Sequence, residues 1–114
     1  MLNIHTIINI IHILLIGPGL IYIGQTYGAL PNIAFNIILV LGLGIMVYHA
    51  YKAYSIGIKY GWIYALHAAV FAPLLVYLGA LGKKAHNAIY PLLTMVGFAA
   101  IGYHLLILYK RYLL

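Results

Sequence analysis

The 114-residue chain has six histidines, and four of them form two pairs at one spacing. His12 and His67 lie 55 positions apart, as do His49 and His104. Neutral imidazole binds transition metals, serves as an axial ligand to haem iron, and titrates near physiological pH. With no Cys, Asp or Glu anywhere, imidazole is the only strong side-chain ligand on offer. Copper, zinc or the iron of haem b would suit such a set. The same absences remove disulfides, iron–sulfur clusters, carboxylate pairs and a Ser-His-Asp triad. No hydrolase or transferase activity is expected.

The histidines belong to a longer repeat. HILLIGPGLIYIG, from His12 to Gly24, returns as HAAVFAPLLVYLG, from His67 to Gly79. The offset continues without a gap, placing Asn32 on Asn87, Gly42 on Gly97, Tyr48 on Tyr103 and Tyr54 on Tyr109. In a chain rich in Ile, Leu, Gly and Tyr, identities alone prove little. The scarce residue types decide: four of six histidines and two of four prolines fall on this one offset. The chain therefore reads as one unit written twice, over residues 1–55 and 56–114.

The elements that carry these residues follow from composition. The chain is 67% hydrophobic and 5% charged, against about 25% charged in a soluble domain. A bilayer is the solvent that such a surface requires. The net charge of +6 rests on a few loop and C-terminal residues. These suit lipid head groups, and no direct nucleic-acid binding is expected. Apolar runs predict four helices, over about Thr6 to Gly24, Pro31 to Tyr54, Gly61 to Gly82 and Asn87 to Tyr109. Ser55 to Tyr60 is expected to link the halves. Each run holds about 20 residues, enough for a hydrocarbon core of about 30 Å. The first run lacks a basic leader and a small-residue cleavage site, so it reads as a retained span. Pro18 and Pro73 are expected to kink the first and third helices.

The predicted fold is all-α: an integral membrane four-helix bundle of two tandem transmembrane hairpins. A pseudo-two-fold axis along the membrane normal is expected to relate them. Four crossings put both termini on one side, with Lys52, Lys59, Lys110 and Arg111, against Lys83 and Lys84 opposite. The positive-inside rule then favours cytoplasmic termini. Expected partners are the bilayer and further membrane proteins, including other copies of the chain.

Within this frame His12 and His49 fall at similar depths, roughly 9 and 8 Å from the terminal side. The repeat adds His67 and His104 to the same layer. Ionisable groups inside a span usually face the bundle. Gly42 and Gly97 precede His49 and His104 by seven residues, leaving room for a flat ligand or a close helix. Tyr22 and Tyr77, ten residues beyond their histidines, are candidates to line the same cavity. Three uses follow. The layer binds haem or a transition metal, with His12 and His67, or His49 and His104, as a symmetric clamp. Alternatively it holds no ligand and only fixes helix packing, in a non-catalytic structural component of a membrane or virion. Thirdly, it gates a proton or ion channel.

The repeated His-x5-Pro-x3-Tyr-x-Gly and the later Gly-x5-Tyr-His cover most of both halves. They resemble short Ile-, Asn- and Tyr-rich membrane proteins encoded by large DNA viruses of algae and protists. That resemblance implies a small four-helix membrane protein and no established activity. Paired histidines in a bundle are also similar to membrane cytochromes of the b type. Those carry two ligand layers on opposite sides of the membrane, and this chain has a single layer.

Overall fold

The computed structural model describes residues 2–114. Four long helices account for most of them: α1 Ile4–Thr26, α2 Asn32–Ile56, α3 Ile58–Lys84 and α4 Ile89–Tyr112. Each is long and apolar enough to cross a membrane. All four run past their expected C-terminal ends and α1 and α3 also start earlier, whereas α4 opens at Ile89, two residues after the expected Asn87. Asn3 caps α1, its side-chain oxygen accepting from the Thr6 backbone N–H at 2.9 Å, which satisfies one of the free donors of the first turn. Pro31 stands just ahead of α2 in extended conformation, so the helix opens at Asn32 and not at the proline. The expected link from Ser55 to Tyr60 shrinks to Gly57. Its φ of +85° is a conformation that side chains disfavour, so a single residue reverses the chain.

The helices pack in two units. One comprises residues 2–27 with Asn87–Leu114, the other Gly28–His86. In the first, α1 lies antiparallel to α4. Thr6 Oγ1 meets the Tyr112 hydroxyl at 2.6 Å, Gly97 abuts Ile21, and Gly24 abuts Thr94 and Tyr90. Arg111 donates to Asn3 Oδ1 at 3.1 Å and to Thr6 Oγ1 at 3.3 Å, tying the two chain ends. Tyr90 and Leu93 are its most buried large side chains. In the second unit α2 lies antiparallel to α3. Gly61 sits on Ala53, Gly42 on Val76, Gly79 on Leu39 and Gly82 beside Phe35. Phe35, Ile38 and Leu78 form the buried centre there.

The offset of 55 converts one contact set into the other. Gly97 against Ile21 becomes Gly42 against Val76, and Gly24 against Thr94 becomes Gly79 against Leu39. Each unit thus takes one helix from each sequence copy and uses matching positions to bring the backbones together. A Cβ on Gly42 would lie 2.9 Å from the Val76 nitrogen, and one on Gly97 would lie 2.7 Å from the Gly17 carbonyl oxygen. Small residues at such places allow the close backbone approach that helix association in lipid depends on. The outward sides are apolar in mid-helix, with Leu14, Val40, Val47 and Phe98 all exposed.

The two helices with a proline in mid-span contain a π-helical turn, at His12–Ile16 in α1 and His67–Phe71 in α3, whereas Pro91 sits in the first turn of α4. Each π turn ends two residues before the proline. The Gly17 N–H bonds the His12 carbonyl and the Ala72 N–H bonds that of His67. A proline inside a helix has no N–H to donate, and its ring crowds the preceding turn. Widening that turn by one residue provides the space. The expected disturbance at Pro18 and Pro73 therefore takes the form of a π turn that opens at the repeated histidine.

Candidate ligand site: two stacked histidine pairs

The longer helices move the imidazoles deeper than the apolar runs suggested. His12 lies eight residues into α1, and His104 eight residues before the end of α4, roughly 12 Å in each case. Antiparallel packing sets them side by side. Their rings stack with centroids 4.1 Å apart and planes 28° apart. In the other unit His49 and His67 stack at 4.7 Å and 9°. Each stack joins one histidine of the first copy to one of the second, as the helix pairing requires. Rings this close are in face contact, and no planar group fits between them.

Hydrogen bonds define which nitrogen of each ring carries the proton. Nδ1 of His12 lies 2.8 Å from the Ile8 carbonyl, Nδ1 of His49 2.8 Å from that of Ile45, and Nδ1 of His67 2.6 Å from that of Ile63. A carbonyl oxygen only accepts, so Nδ1 donates in all three. His104 is placed differently: it is buried, and its Nδ1 lies 2.6 Å from Asn9 Oδ1 on α1. In its neutral form each of the four imidazoles therefore carries its basic lone pair on Nε2. That is the usual preparation of a metal-binding histidine, whose other ring nitrogen is oriented by a carbonyl or side-chain acceptor.

Aromatic neighbours repeat as well. Tyr48 meets His49 edge-on at 5.1 Å, and Tyr103 meets His104 edge-on at 5.3 Å. No family model, curated protein or solved structure matches the chain. The meaning of the histidines must therefore come from their own geometry.

The remaining expected site residues lie elsewhere. Gly42 and Gly97 face neighbouring backbone, so each serves as a close helix contact within its unit. Tyr22 is exposed, about 15 Å along α1 from His12. Tyr77 accepts at its hydroxyl from the His86 N–H at 2.9 Å, fastening the turn after α3. Neither tyrosine joins the stack of its own unit. Asn9 is the residue that sequence reasoning missed. Its counterpart in the second copy is Tyr64, so a search by repetition passes over it. The available signal was an amide three residues before His12, on the same helical face.

Proposed function

We propose that this chain is a small multi-pass membrane protein whose stacked histidine pairs bind a transition-metal ion. The observation that carries the reading is the shared preparation of the rings. Within each stack both Nδ1 atoms act as donors, which places the basic lone pair of both neutral members on Nε2. Rings in face contact exclude a haem clamped between the two members of one stack. Imidazole without thiolate or carboxylate suits copper or zinc, with exogenous ligands completing the shell. The ion would contribute Lewis acidity or electron transfer, and the residues contribute binding and orientation alone.

The test is an absorption spectrum and a metal analysis of protein purified in mild detergent. Copper or zinc at a reproducible ratio to protein, lost in His12→Ala with His67→Ala, is the expected result. A Soret band lost in the same variants would put haem in place of the ion. Metal-free, colourless protein that takes up neither ion would overturn the proposal.

A second reading has its own support. The bond from His104 to Asn9 joins α4 to α1 in a buried setting, as a purely structural fastening would. Under that reading His104→Ala lowers stability and changes no binding.

A further inference from the structure

The two stacks differ at one point. We propose that Asn9 is a positioning residue that fixes the tautomer of His104, and that it makes His12 with His104 the tighter of the two ion sites. The second half of this rests on the metal reading above; the first half does not.

The amide of Asn9 has a defined orientation. Its Nδ2 donates to the His5 carbonyl at 2.8 Å, and a carbonyl cannot donate in return. The group facing His104 is therefore Oδ1, which only accepts. At 2.6 Å the proton between the two residues belongs to His104 Nδ1. The relay runs from a backbone carbonyl through one amide to the imidazole, and both side chains are buried. A low-dielectric setting strengthens such a bond.

The second unit lacks an amide at the matching position. Position 64 holds a tyrosine, whose ring lies 5.9 Å from that of His49, and His49 Nδ1 turns to the Ile45 carbonyl of its own helix. A carbonyl four residues back also serves the helical ladder, so that acceptor is shared. Asn9 Oδ1 lies outside any ladder and reaches His104 from the opposite helix. It holds the imidazole toward its mate, and the His12–His104 stack is the closer one, at 4.1 Å against 4.7 Å. Partners that orient a ligating histidine commonly change metal affinity by roughly 10–100-fold.

Nitrogen NMR of the uniformly labelled full chain in detergent micelles tests both halves, with ring signals assigned from single His-to-Gln variants. In the wild type above the imidazole titration, His104 should carry its proton on Nδ1. Asn9→Leu should shift it toward Nε2 while the other three rings, tied to backbone carbonyls, keep theirs. Asn9→Asp, which still accepts, should restore Nδ1–H. A wild-type His104 protonated on Nε2, or one indifferent to Asn9→Leu, would overturn the assignment. If Asn9→Leu does not fold, Asn9→Asp decides, and loss of the Nδ1 proton there counts against the proposal. Zinc is then titrated into the wild type. The His12 and His104 signals should respond at about tenfold lower zinc than those of His49 and His67, and Asn9→Leu should erase that order. Equal responses would overturn the ranking. Silence at all four rings would overturn the metal reading and the ranking with it, while the tautomer result would still stand.

Discussion

At the residue scale, glycines and histidines act through what surrounds them. Gly79 packs directly on the backbone of Leu39, whereas Gly44 has no heavy atom within 4 Å of an added Cβ. Gly79→Ala must push α2 and α3 apart, and overpacking of this kind costs about 1–3 kcal/mol. Gly44→Ala should change stability by no more than about 0.5 kcal/mol. Denaturant titration of each variant in detergent, followed by circular dichroism, separates them; equal losses would refute the close contact at Gly79. The sequence marked four histidines because rare residue types at a fixed offset stand out in an apolar chain. It did not reveal Asn9, since an unpaired amide carries no repeat signal. At Gly42 and Gly97 it offered a flat ligand or a close helix without choosing between them, because spacing gives the side of a helix and not its neighbour.

At the element scale, the π turns are the least legible feature. Pro18 and Pro73 announced a disturbance, but the backbone could have answered with a kink, a lost bond or a wider turn. The outcome depends on local hydrogen bonding that residue type does not specify. A π turn is one extra residue inserted in an α-helix, which yields a prediction. Leu14 lies within the turn of α1, and its side chain is exposed. Deleting it together with Pro18→Ala should close an ordinary helix while keeping both His12 and Gly24 on α4. Val47 is equally exposed but lies in regular helix between Gly42 and His49. Deleting it rotates one of them by about 100° relative to the other, and the α2–α3 unit should come apart. Thermal melts of the two deletions read the difference; similar melting would show that the π turn is not a removable insertion.

At the scale of the whole molecule, length and hydropathy foretold four spans, and the four helices found are long enough to cross a membrane. The partners within each packed unit were not foretold. Repetition shows which helices are alike, whereas contact depends on which faces meet. Side preference follows from charge, with four basic residues on the expected terminal side and two beyond. The chain has no cysteine, so single introduced thiols report topology against an empty background. Ser55→Cys and Leu114→Cys should react with an impermeant maleimide from one face of a sealed vesicle, and Lys84→Cys from the other. Labelling of all three from the same face would contradict four crossings.

The exchange of helices between the two copies bears on what a fragment can do. A polypeptide ending after residue 55 holds α1 without α4, and nearly all of α2 without α3. Its glycine seams would find their counterparts only on a separate molecule, the other half supplied in trans or a twin of itself. Joining the halves through Gly57 raises the local concentration of each mate and removes that dependence on encounter. Severing the chain at this residue and co-producing the pieces should therefore regenerate both helix pairs, at a yield that rises with the amount of each piece.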